Sequence, residues 1–162
     1  MKTTTYLKRM AACSGLFDDS GCLLKYAEMS EDVQSLITAA AIFNESAALE
    51  DHAIDLQPLL DSWRKSSAAW DAAKEAVAAW FAAGLSSDPA EITVGILAAG
   101  SAISEMTAHT EEVTRAITAA ADQQPDLMPT DLAQGRINNT VSLGYDIMGD
   151  LDKMAAQIEQ DA

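Results

Sequence analysis

The chain has only two histidines and two cysteines, and that scarcity removes most of the chemistry a sequence can announce. Cys13 and Cys22 have no Cys or His cluster around them to complete a zinc site, and no nearby His to serve as a base for a nucleophilic thiol. Glu105 and His109 share a helix face at i, i+4. Di-iron bundles, however, use Glu-x-x-His at three-residue spacing twice and draw further Glu from other helices, and His52 and His109 are all the histidine there is. No glycine-rich phosphate loop is present either, because Gly95, Gly100, Gly144 and Gly149 all fall inside helical patterns. No catalytic residue, metal ligand or cofactor site is assigned, and an enzyme is not expected.

Aromatic residues make up 6% of the chain, and no β-branched alternating run reads as a strand. No run approaches the ~20 apolar residues of a membrane-spanning helix. The basic start, Lys2 to Arg9, is followed by Met10, Ala11, Ala12 and Cys13, far short of the apolar core that export requires, so a cytoplasmic location is expected. Basic residues are missing altogether between Lys74 and Arg115, where Glu75, Asp88, Glu91, Glu105, Glu111 and Glu112 are acidic. The formal net charge is −15. Residues 1–29 are slightly basic, so the acidity belongs to the rest of the chain. Such a surface repels phosphate and anionic lipid, which excludes direct binding to nucleic acid or membrane, and it attracts basic protein surfaces.

What the chain does have is a seven-residue apolar register of alternating fours and threes. Over 88–121 it runs through Ile92, Ile96, Ala99, Ile103, Met106, Thr110, Val113, Ile117 and Ala120. Over 58–84 it runs through Leu59, Trp63, Ser66, Trp70, Ala73, Val77 and Trp80, and over 130–160 through Ile137, Val141, Gly144, Met148, Leu151, Ala155 and Ile158. This spacing places one stripe on one helix face and predicts helix-on-helix packing.

Local signals set the expected boundaries. Ser30, followed by Glu31 and Asp32, reads as a capped helix start, with a stripe at Val33, Leu36, Ala40, Phe43 and Ala47. Residues 51–57 read as a junction, and Pro58 opens a helix that runs to Gly84. Asp88, Pro89 and Glu91 combine a capping acid, a first-turn proline and an acid three residues after the cap; they start a helix of about 30 residues. The two-proline stretch 122–129 breaks the chain, and Thr130 or Asp131 starts the last helix. The expected fold is all-α: an antiparallel four-helix bundle with heptad-like packing over residues 30–162 and a short helical N-terminal extension, arm or cap, over residues 1–29. Apolar residues off the seam, Val94, Leu97, Leu143, Tyr145 and Ile147, widen the stripes and favour this bundle over a dimerising hairpin. A monomer and a homodimer are both compatible with it.

Trp63 and Trp70 lie a heptad apart on the seam and read as core anchors, with Ser66 or Thr110 to accept an indole N–H. Trp80 and Phe81 cannot both face one seam, and which of them is core stays open. A helical glycine on the seam at Gly144 predicts a close approach of another helix, with Trp63 or Trp70 as the neighbour.

Acidity without a catalytic constellation leads to the expectation of a non-enzymatic protein that binds and blocks a basic, nucleic-acid-binding protein, as phage or mobile-element inhibitors of the anti-CRISPR or anti-restriction type do. Glu75, Glu105, Glu112, Asp146 and Asp150 are the expected partner-binding residues, placed in water by the register, with Asp152 at the seam's edge. The alternative is an adaptor or assembly-chaperone bundle that binds through the apolar residues of its N-terminal arm: Tyr6, Leu7, Met10 and Phe17.

Overall fold

Four helices form from the four patterned segments, and the computed structural model describes residues 21–46, 54–82, 89–123 and 140–161. They are α1 (Gly21–Ser46), α2 (Gln57–Ala82), α3 (Pro89–Gln123) and α4 (Thr140–Asp161). Pro89 is the first residue of α3 and Pro58 the second of α2, where the missing N–H costs no hydrogen bond. At 35 residues, α3 is about 52 Å long at 1.5 Å per residue. The Asp55 carboxylate accepts the Gln57 amide at the start of α2, 3.1 Å away. The Asn44 side chain of α1 exchanges two 2.9 Å hydrogen bonds with the backbone of Ile54, just ahead of α2.

Cross-helix contacts fix the directions. Tyr26 meets Ser66 and Trp70 while Ser30 meets Trp63, so α1 and α2 run antiparallel. Likewise, Gly100 faces Leu151 and Gly144 faces Thr107 between α3 and α4. Lys25 reaches Asp150 and Asp32 reaches Thr140 between α1 and α4. Gly95 approaches Ala73, and Lys65 bonds Glu105, between α2 and α3. Each helix therefore runs opposite to its neighbours, giving an up-down-up-down bundle.

The expected seam is the core of α2 and α3. Ile92, Ile96, Ala99, Ile103, Met106, Val113 and Ile117 are buried, as are Leu59, Trp70, Ala73 and Val77, while Trp63 is half-buried. Thr110 is tolerated on the seam because its hydroxyl donates to the Met106 carbonyl of its own helix at 2.7 Å; Thr107 does the same to Ile103.

Four expectations need correction. First, no helix starts at Ser30. α1 begins at Gly21 and carries its own unbroken register of Cys22, Tyr26, Met29, Val33, Leu36, Ala40 and Phe43, all buried. Ser30 sits inside that helix, and its hydroxyl accepts the Trp63 indole N–H at 3.0 Å. Second, the α4 seam is shifted in part: Gly144, Leu151, Ala155 and Ile158 are buried as expected, and Thr140, Ile147 and Met154 are buried with them, whereas Val141 and Met148 are only half-buried. Ile147 and Met154 bring more apolar bulk to the interior than the Val141 position does, and α1 packing on that side fixes the shift. Third, Val94, Leu97 and Tyr145 do not widen the core. They are 66%, 44% and 60% exposed, because α3 and α4 are already covered on their other flanks. Fourth, the neighbours of Gly144 are Thr107 and Met29 rather than a tryptophan.

Residues 1–20, with Tyr6, Leu7, Met10, Cys13 and Phe17, lie outside the described residues, as do Ala47, His52, Gly84, Asp88, the 124–139 connection with Thr130 and Asp131, Ile137, and the side chains of Trp80, Phe81 and Ala120.

The aromatic centre of the bundle joins three helices. Trp70 stacks flat on Tyr26, with ring centroids 4.3 Å apart and planes 8° from parallel. The Tyr26 hydroxyl donates to Ser67 Oγ at 3.2 Å and lies equally close to Ser66 Oγ. Ser66 in turn donates to the Trp63 carbonyl and touches the Met106 sulfur of α3. The Trp70 indole N–H is buried with no hydrogen-bond partner among the described residues, so neither Ser66 nor Thr110 serves it.

Candidate interaction surface

Heptad packing leaves the outer positions of each helix to polar and small side chains, and among the exposed charged residues described acids far outnumber bases. Glu75 on α2 is exposed with no ion pair among the described residues. On α3, Glu105 accepts from Lys65 Nζ of α2 at 3.1 Å, with both groups exposed. Glu112 lies 3.5 Å from His109 Nδ1, and Glu111 pairs with Arg115 one turn on. On α4, Asp146 is exposed, while Asp150 is half-buried and accepts from Lys25 Nζ of α1 at 3.0 Å. Asp152, expected at the edge of the seam, is exposed.

The five expected partner-binding acids are therefore not brought together. Glu105 faces α2 and Asp150 faces α1, on opposite sides of the α3–α4 pair. Three acids outside that set, Glu111 on α3 and Asp152 and Glu159 on α4, share the one face that neither α1 nor α2 covers. Each directly follows a buried seam residue, Thr110, Leu151 and Ile158 respectively. That register relation is the sequence signal that finds them.

Where α1 meets α4, charge is crowded. Burial raises the carboxyl pKa of Asp32, the charge of Glu28 raises it further, the Thr140 hydroxyl hydrogen bond pulls it back, and Glu31 adds a smaller rise. Lys25 is held in its charged form chiefly by its hydrogen bond to Asp150; desolvation opposes this, and the charges of Asp150 and Asp146 support it. A single cation thus lies among acids from two helices. Beneath it, the Cys22 thiol is pushed up to about 12, first by burial and then by the Asp150 charge, with Lys25 pulling the other way.

Cys22 is consequently a packing residue rather than a nucleophile. In a Cys13→Ser background, a thiol reagent at pH 8 is expected to label Cys22 only on the timescale of global unfolding, and at once in denaturant. A native pKa raised above the unfolded value stabilises the fold fully below about pH 9, and that stabilisation is lost as pH climbs toward 12. Alkaline melts of Cys22→Ala should lack this part of the decline. Fast labelling of the native protein would contradict the assignment.

Among the described residues, no three His, Cys, Asp or Glu side chains gather to hold a metal ion, and no helix is long and apolar enough to cross a membrane. Comparison of the chain with protein-family models, with curated proteins and with solved structures finds no match. The fold is an all-α four-helix bundle, and its outer faces are strongly acidic.

Proposed function

We propose that this chain is a non-enzymatic interaction protein that binds and blocks a basic, nucleic-acid-binding protein, in the manner of phage or mobile-element inhibitors of the anti-CRISPR or anti-restriction type. The observation that carries this reading is the layout of charge. Acids occupy outer positions of all four helices, with Glu28, Glu75, Glu91, Asp146, Asp152 and Glu159 exposed, while the cations are few, and three of them, Lys25, Lys65 and Arg115, are held by acids of the bundle itself. Such a surface speeds encounter with a basic protein and competes for the face that protein offers to phosphate. A reducing cytoplasm is the setting this implies.

The adaptor alternative, with binding through Tyr6, Leu7, Met10 and Phe17, keeps only part of the arm. Cys22, Tyr26 and Met29, at the arm's end, are buried in the bundle and have no free surface to offer. Affinity capture from a native host lysate at low and at physiological salt, followed by mass spectrometry, tests the choice. The acidic reading expects a basic, nucleic-acid-binding protein whose capture falls steeply with salt. Salt-indifferent capture that is lost on deleting residues 1–20 would replace it with the adaptor.

A further inference from the structure

Opposite its buried register, α1 carries an outward stripe left in water. From the start of the helix it runs through Leu24, Ala27, Glu28, Glu31, Gln34 and Thr38, all exposed, and Leu24 keeps 56% of its surface accessible. Neither Glu28 nor Glu31 has an ion pair among the described residues. The stripe is thus apolar in its first turn, acidic in the second and uncharged from there through Thr38. Directly ahead of α1, residues 1–17 hold three of the ten basic residues, Lys2, Lys8 and Arg9, and no acid. Their apolar residues also follow alternating fours and threes, through Tyr6, Met10, Cys13 and Phe17, which is one face of a helix. Arg9 and Leu16 each precede a member of that stripe and so lie along one edge of it. Only Asp18, Asp19 and Ser20 separate Phe17 from Gly21, the first residue of α1. A connection that short is the kind that joins two antiparallel helices.

We infer that residues 6–17 form a strap that docks antiparallel on this outer face of α1 and withholds its acids from a basic partner. Two helices rise equally per residue, so reversal at 18–20 sets Leu16 opposite Leu24, Cys13 opposite Ala27 and Arg9 opposite Glu31. Apolar meets apolar next to the connection, and cation meets acid farther along. Charge selects the occupant. The same face of a second copy would bring Glu28 and Glu31 against their own counterparts, whereas the basic segment neutralises them, and its short tether gives it a high local concentration. Docking stands on the face and the segment alone; its competition with a partner rests on the acidic-interaction reading.

A nitroxide on Thr4→Cys in a Cys13→Ser background reports the contact in the full chain, with Cys22 buried and unlabelled. The docked strap is expected to broaden the amides of residues 34–38 on α1 and to spare those of residues 101–108 on α3. Phe17→Ser should abolish the broadening, and Arg9→Glu and Glu31→Arg should each weaken it. Exchanging both charges should restore it, as a pair in contact requires. Broadening that is absent from the parent protein, or that ignores these changes, would overturn the strap. Broadening of a ¹⁵N-labelled chain by a second, spin-labelled chain would assign the contact to exchange between copies and overturn it as well. Decalysine tests the competition. Lys8→Ser with Arg9→Ser should bind it about fivefold more tightly at low salt than Arg64→Ser with Lys153→Ser, which removes the same charge from exposed positions of α2 and α4. Equal affinities would overturn the competition. Decalysine that binds none of these chains would sink the acidic-interaction reading instead, while the broadening still decides the strap.

Discussion

Ile103→Asp is expected to abolish cooperative folding or to lower stability by about 4 kcal/mol or more, because a carboxylate placed there is buried with no partner and the isoleucine packing is lost as well. Ile103 is fully buried at the middle of α3, and the Thr107 hydroxyl one turn on is already donated to its carbonyl. α3 packs on both α2 and α4, which lets the loss reach the whole bundle. Glu112→Lys, on the exposed side of the same helix, should change stability by no more than ~0.5 kcal/mol. Thermal or urea melts decide the matter, and a variant order reversed from this one would mean that the register is wrong.

Gly144→Ala and Gly149→Ala are expected to act in opposite directions although both replace a glycine inside α4. A Cβ at Gly144 would overlap the Thr107 side chain and press on Met29 Cε at 3.1 Å. The Thr107 hydroxyl is tied to the Ile103 carbonyl at 2.7 Å and cannot swing aside without breaking that bond. The cost is about 1–3 kcal/mol of overpacking, more than the ~1 kcal/mol that alanine gains over glycine in a helix. At Gly149 nothing lies within 4 Å of the added carbon, so only the gain remains, up to ~1 kcal/mol. Thr107→Ala should rescue much of the Gly144→Ala loss, an interaction that a double-mutant cycle measures. Equal effects at the two glycines, or no rescue, would contradict the close approach of α3 and α4.

The sequence made the seams of α2 and α3 legible because an unbroken heptad survives every local distraction. It concealed the start of α1. Ser30, Glu31 and Asp32 look like a cap, but Tyr26 and Met29 continue the register behind them, and tertiary packing overrides the local signal. The α4 seam was readable only to within one step around the helix. Val141 and Met148 on one side, and Ile147 and Met154 on the other, are all apolar, and the position of α1 favours the second pair. Exposed Val94, Leu97 and Tyr145 passed for core because apolar character alone does not say which flank a neighbour covers.

The acids were legible as outer residues, and Glu75, Glu105, Glu112 and Asp146 are indeed exposed. Which of them share a face was not legible, since that depends on helix order. Lys65 draws Glu105 toward α2 and Lys25 draws Asp150 toward α1, and neither pairing can be read before the bundle is assembled. The Trp63 indole partner was hidden for the same reason: Ser30 is 33 residues away and was read as a cap.

The central claim is that the acidic surface recruits a basic protein, and the association rate measures it most directly. Once the partner has been captured, its rate of binding to wild type and to a variant with Glu105, Glu112, Asp146 and Asp150 replaced by Lys is compared at low and at physiological salt. The account predicts a wild-type rate that falls at least tenfold between the two salts, and a folded variant that associates slowly at both. Rates that are the same for both proteins and indifferent to salt would contradict it.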